Sequence, residues 1–271
     1  MRALLVGILL LGVAPMGDAD VRGEEITYSG DGVEMKGYIA WDSALEGKRP
    51  GVLVVHEWWG HNDYARERAR QLAEAGYTAL ALDMYGGGKG ADHPQGAGEF
   101  MNAVLADLPG MRARFEAADQ VLRAHETVDA DRVAAIGYCF GGGVVLHMAR
   151  VGHDLDAVAS FHGSLGLAVV EDAPEQIQAR VVAYNGEADP FTSAEAVANF
   201  KTEMDQAGAD WQFINYPGAV HGFTNPAATA NGEKFDLPLR YNRLADESSW
   251  AHMLLLFQDT FRDHNEASSE D

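Results

Sequence analysis

The sequence predicts an α/β fold: a mostly parallel, twisted sheet with helices on both faces and an antiparallel hairpin at its N-terminal edge. Three observations predict it. Short apolar runs without polar alternation recur along the chain, as strands buried on both faces require. Stretches with helical spacing of apolar positions lie between those runs. The alternation of the two continues from the first third of the chain to its end, which favours layered α/β packing over segregated elements.

The elements follow in order. Glu25–Tyr28 and Val33–Trp41 form a strand pair around the turn Gly30-Asp31-Gly32, a common hairpin signal. The buried strands are Gly51–His56, Tyr77–Asp83, Arg132–Gly137, Leu155–Phe161, Ala179–Tyr184 and Trp211–Tyr216. Helices are expected over Tyr64–Ala75, Met111–His125, Phe140–Arg150, Ala194–Gln206 and Tyr241–His264. Two long loops, Met84–Gly96 and Pro217–Leu237, follow strands. In doubly wound sheets such loops form the ligand site.

Composition narrows the function. A chain of 271 residues, 47% hydrophobic and 23% charged, can bury one sizeable core. A formal net charge of -21 repels phosphate backbones and anionic lipid, so nucleic acid and membrane surfaces are poor partners. A monomer acting on a small molecule is the expectation. Arg2, the apolar run Ala3–Ala14 and the small and polar residues through Ala19 read as a secretory signal. The run is too short to span a bilayer, so cleavage after Ala19 would leave one domain over 20–271, periplasmic or extracellular. Cys139 is the one cysteine, so no internal disulfide forms even in an oxidising compartment.

That lone thiol sits in Gly137-Tyr138-Cys139-Phe140-Gly141, between a predicted strand and a predicted helix. This is the spacing of a nucleophile elbow with sulfur in place of oxygen. The flanking glycines let strand and helix pass closely, and the helix N-terminus beneath favours a thiolate. A free cysteine is more often a small buried hydrophobe, but that role leaves the glycines unexplained. An acid and a base should follow in that order along the chain. Asp189 lies in the loop just past one strand, with Glu187 as an alternative, and His221 lies past the last strand. His56, His61 and His162 compete as bases, whereas Asp154 and Asp156 precede a strand and fall at the wrong edge of the sheet.

Two look-alikes are set aside. His56-Glu57 and His61 have one residue too many between the histidines for a helical zinc motif, and they follow a strand, so no metal is expected. The run Gly86-Gly87-Gly88-Lys89-Gly90 has neither the first glycine nor the Ser or Thr of a phosphate loop.

Together the elbow, Gly186 to Asp189, His221-Gly222-Phe223 and Val55-His56-Glu57-Trp58-Trp59-Gly60 resemble the dienelactone hydrolase family of α/β-hydrolases, from about Glu24 to His264. The resemblance implies an α/β-hydrolase fold and a Cys139–His221–Asp189 triad that hydrolyses an ester or lactone without a cofactor. It also implies that Glu57 contacts the thiol and controls its ionisation. A carboxylate there would oppose thiolate formation until substrate displaced it. Backbone N–H groups of Phe140 and Trp58 are the expected oxyanion hole. Family members acting on dienelactone hold its carboxylate with arginines after the strand matched by Ala79–Asp83 and after the histidine. Neither Asp83–Lys89 nor His221–Asn225 contains one. Lys89 is the nearest substitute, and Trp59, Tyr85 and Phe223, with Trp58, suggest an apolar or aromatic substrate. A thioesterase, a general carboxylesterase and a non-catalytic thiol sensor on the same scaffold are the competing functions.

Overall fold

The computed structural model describes residues 19–167 and 176–268. All of the expected signal segment except Ala19 lies outside them. Among the described residues no helix is long and apolar enough to cross a membrane.

Eight strands form one sheet: β1 (Val21–Gly30), β2 (Val33–Asp42), β3 (Arg49–Val55), β4 (Thr78–Leu82), β5 (Val128–Tyr138), β6 (Ala157–Phe161), β7 (Arg180–Gly186) and β8 (Trp211–Tyr216). Their spatial order is β1-β2-β4-β3-β5-β6-β7-β8. The pairs β1–β2 and β2–β4 are antiparallel, and every pair from β4 to β8 is parallel. The expected edge hairpin is therefore present, longer at its N-terminal end than the apolar pattern suggested. The helices are α1 (Asp63–Glu74), α2 (Pro94–Leu105), α3 (Leu108–Arg123), α4 (Phe140–Arg150), α5 (Ala194–Gln206), α6 (Ala228–Phe235) and α7 (Arg243–Ser268).

The central strands read as unbroken apolar runs because both of their faces are covered. In β3, Leu53 and Val55 face a core shared with Phe115 and Leu122 of α3 and Val144 of α4. Val52 and Val54 point the other way, toward Ala65 and Leu72 of α1 and Met253 and Phe257 of α7. The period-two geometry of a strand thus divides one sequence run between two cores.

Two helices were not expected: α6 lies inside the expected loop Pro217–Leu237, and α2 begins at the end of the expected loop Met84–Gly96 and runs through a stretch given no element. In α2, Gly96 and Gly98 depress helix propensity, yet His93 caps the N-terminus by accepting from Gln95 N and Pro94 occupies the first turn. Burial of Ala97 and Val104 then stabilises the helix from one side. α6 likewise rests on tertiary contact: a Cβ on Gly232 would lie 2.3 Å from the Leu239 carbonyl oxygen.

The tightest backbone packing is at the β5–α4 junction. A Cβ on Gly137 would stand 2.1 Å from the Gly141 oxygen, and one on Gly141 would stand 2.4 Å from the Val55 oxygen. No side chain fits at either position. Two substitutions test this account. Gly137→Ala should destabilise the protein by about 3 kcal/mol or more. Gly98→Ala, with nothing within 4 Å of the added methyl, should stabilise it by about 0.5–1 kcal/mol. Denaturant unfolding reads both, and equal effects at the two sites would contradict the packing argument.

Candidate active site

The junction fixes the conformation of Cys139. Cys139 adopts φ 54°, ψ -115°, a left-handed region that L-residues enter at a cost and that a surrounding structure must enforce. Its N–H donates to the Phe161 carbonyl at 3.0 Å, and its own carbonyl accepts from Gly143 at 3.2 Å. The thiol therefore stands between the sheet and the first turn of α4.

The two partners arrive from the ends of β7 and β8. Asp189 is buried, and its Oδ2 lies 2.8 Å from His221 Nδ1. Its Oδ1 accepts from Phe191 N at 2.8 Å, which orients the carboxylate. Glu187, the alternative acid, is exposed. Burial alone would lower the imidazole pKa of His221. The charge of a Cys139 thiolate and hydrogen bonds to Asp189 and Cys139 outweigh burial and push it up to about 10. Such a ring holds a proton facing the cavity that Cys139 also lines.

The loop after β3 is braced from behind. His56 Nδ1 donates to the Glu57 carbonyl at 2.6 Å, a tautomer assigned because Nε2 accepts from Met84 N at 3.2 Å. Burial drives the pKa of this ring down to about 4, so it stays neutral. Tyr85 donates its hydroxyl to the Trp58 carbonyl at 2.9 Å. Ala91 N donates to the Trp59 carbonyl at 2.8 Å. These bonds hold the peptide that carries Trp58 N–H. The N–H of Phe140, the first residue of α4, has no acceptor within its own helix.

Glu57 is close to this centre. Its Oε2 accepts from Asn225 Nδ2 at 2.5 Å, and no hydrogen bond between Glu57 and the Cys139 thiol is formed among the described residues. Burial raises its pKa to about 7, opposed by the Asn225 hydrogen bond and by the charges of His221 and Arg68.

Asn225 belongs to a buried polar network beneath the histidine loop. Thr224 Oγ1 lies 2.7 Å from both Tyr64 Oη and His162 Nε2. Arg68 donates to the Thr224 carbonyl at 2.8 Å and to Asp246 Oδ1 at 2.5 Å. His162, at φ 40°, sets its ring edge-on to His221 with centroids 5.1 Å apart. So His162 is spent on Thr224 and packs against His221, while His61 is spent on the Ala81 carbonyl at 3.1 Å. Arg68, Thr224 and Asn225 escaped sequence reasoning because their partners lie far along the chain and no local spacing marks them.

Above the thiol opens a cavity of about 360 Å³. Its lining includes Trp58, Cys139, Phe140 and His221, as the sequence suggested. Met101 and Leu105 from α2, and Leu237 and Leu239 beyond α6, supply walls that the sequence did not suggest. Trp59, Tyr85, Lys89 and Phe223 fall outside the lining. Trp59 and Tyr85 are buried behind the loop after β3, Trp59 against Phe235 and Tyr85 against His56. Lys89 is exposed and serves through its carbonyl, which accepts from His61 N at 3.3 Å. Phe223 is fully buried below the rings of His162 and Tyr216. Their apolar character reflects packing.

The profile of the dienelactone hydrolase family matches residues 35–261. The chain belongs to the dienelactone hydrolase family. Its similarity to other members spans most of both chains. "Protein usf" of Aquifex pyrophilus is 29% identical over 211 residues, covering 75% of this chain and 87% of that one. A protein of Aquifex aeolicus named as a carboxymethylenebutenolidase is 27% identical over 208 residues, with the same coverage of 75% and 87%. Among solved structures, a dienelactone hydrolase-like promiscuous phosphotriesterase from metagenomic libraries is 36% identical, with TM-score 0.83. That likeness covers 89% of this chain and 98% of the other. This dienelactone hydrolase family member is accordingly a hydrolase of carboxylic ester or lactone bonds, built on the α/β-hydrolase fold.

The pKa of Glu57 makes stability depend on pH. Below about pH 4.5 folded and unfolded chains both hold this proton. Between about 4.5 and about 7 only the folded chain holds it, so stability falls as pH rises through that window and levels off above it. Relative to Glu57→Gln, the wild type should lose at most about 3 kcal/mol between pH 4.5 and 7.5. Parallel denaturant titrations of the two proteins measure this. Curves that stay parallel across the window would show that Glu57 ionises normally.

Proposed function

We propose that this hydrolase works through a covalent thioester on Cys139, with His221 as proton carrier, Asp189 as its orienting acid and Glu57 as a buried acid beside the pair. The 2.8 Å bond from Asp189 to His221, with His221 and the thiol facing one cavity, carries the reading. The thiolate attacks the carbonyl carbon and forms a C–S bond. The resulting oxyanion accepts hydrogen bonds from the N–H groups of Phe140 and Trp58, each worth about 10²- to 10³-fold in rate. When the C–O bond breaks, the imidazolium of His221 gives its proton to the leaving oxygen. Water then loses a proton to His221 and attacks the thioester, releasing the acid and restoring the thiolate–imidazolium pair. No metal or organic cofactor enters this sequence. The buried orientation of Asp189 argues against a thiol sensor, which needs neither base nor acid. Thioesters and simple carboxylic esters would enter by the same steps.

A second reaction has its own support in the likeness to the promiscuous phosphotriesterase. An uncharged phosphate triester would offer phosphorus to the same thiolate, with an aryloxide as leaving group. Water would then cleave the P–S bond.

Rapid mixing with an aryl ester should give a burst of phenol equal to the enzyme concentration, followed by slower turnover. Cys139→Ala and iodoacetamide should each remove the burst and lower turnover at least about 10³-fold, with the fold retained. A Cys139→Ala protein that still turns over would refute the nucleophile. Run with a diethyl aryl phosphate, the same assay decides the second reaction.

We also propose export, with the signal removed after Ala19. Expression in a Gram-negative host should yield a periplasmic chain whose intact mass begins at Asp20. A cytoplasmic chain of full mass would overturn this.

A further inference from the structure

We propose that the cavity selects uncharged, apolar acyl or alcohol groups and rejects carboxylate-bearing substrates, and that Met101, Leu105, Leu237 and Leu239 set this preference. The inference rests on Cys139 acting as the nucleophile of a hydrolase, and it names that site's substrate class.

The cavity's described lining contains no lysine or arginine. Its polar groups besides the thiol and His221 are the hydroxyls of Ser164 and Thr192 and the indole N–H of Trp58, all neutral. Cations nearby are committed elsewhere. Arg150 packs behind the wall at 1% exposure, with Nη2 on the Leu165 carbonyl at 2.6 Å and Nε on Glu203 at 2.6 Å. Arg68 is held by Asp246 and the Thr224 carbonyl. Arg240 follows the lining residue Leu239, yet its guanidinium turns to the Gly218 carbonyl at 3.1 Å. Arg114 donates to the Met84 carbonyl at 2.9 Å.

A substrate carboxylate entering this space would lose its water and meet no cation except the His221 ring, whose charge Asp189 already balances at 2.8 Å, a strongly unfavourable transfer. It would also sit near the thiolate and the buried acids Asp189 and Glu57, all of the same sign when ionised. An apolar group meets the opposite conditions. It buries the side chains of α2 and of the loop after α6. At the mouth it reaches Phe191, which lines the cavity, is 60% exposed and sets its ring edge-on to His221. A large aromatic left in water beside a reactive centre gains most when an apolar ligand covers it.

The test compares the 4-nitrophenyl ester of hexanoic acid with the 4-nitrophenyl half-ester of adipic acid, which ends in a carboxylate where the other ends in a methyl. The wild type should favour hexanoate in kcat/KM by about 100-fold or more. Leu105→Arg should shrink that ratio at least about tenfold by raising the rate on the half-ester. Binding is read separately, by intrinsic tryptophan fluorescence of the wild type with 2-octanone and with octanoate. The ketone should bind at least about tenfold more tightly. Comparable rates on the two esters, or equal affinity for ketone and anion, would overturn the proposal. Hydrolysis of neither ester would overturn the hydrolase mechanism instead, and the fluorescence comparison would still decide selectivity.

Discussion

Everything in this molecule that bears on chemistry depends on one close approach of backbone to backbone. The first turn of α4 presses against the end of β3, so that Gly141 meets the Val55 carbonyl while Gly137 meets Gly141 itself. That contact leaves Cys139 no relaxed conformation and forces it to φ 54°. The same contact sets the start of α4 against the end of β3 and the residue that leaves it, His56. Strain at Cys139 and the juxtaposition of these two segments therefore share one cause.

A second layer of order lies below the histidine. The loop from His221 to Asn225 is tied by backbone bonds to the segment after α6, and it is further fixed by side chains from four other elements. Arg68 and Tyr64 come from α1, Asp246 from α7, His162 from the end of β6 and Glu57 from the end of β3. The Arg68–Asp246 pair closes a loop of 178 residues. Buried pairs of this kind contribute less to net stability than to the choice of a single arrangement. Here the arrangement chosen is the one that sets His221 between Asp189 and the thiol.

The fold was legible because its signals are local. Unbroken apolar runs named the strands, and glycines flanking Cys139 named the elbow. His221 and Asp189 were found by chain order, which topology dictates. The walls of the cavity were not legible. Gly96 and Gly98 make α2 look like loop, and only burial against the rest of the protein settles it as helix. The aromatics Trp59, Tyr85 and Phe223 misled for a related reason. Sequence shows that a ring lies near a strand end, but not whether it faces the cavity or the core. The partner of Glu57 is Asn225, a residue 168 positions away that no spacing rule connects to it.

The separation between those walls and the Cys139 elbow has a practical consequence. Met101 and Leu105 lie on the helix between β4 and α3, and Leu237 and Leu239 lie in the segment between α6 and α7. Neither pair has a side chain that can donate a hydrogen bond. An engineer can therefore reshape the pocket from these two segments and leave the glycine contact under the thiol as it stands.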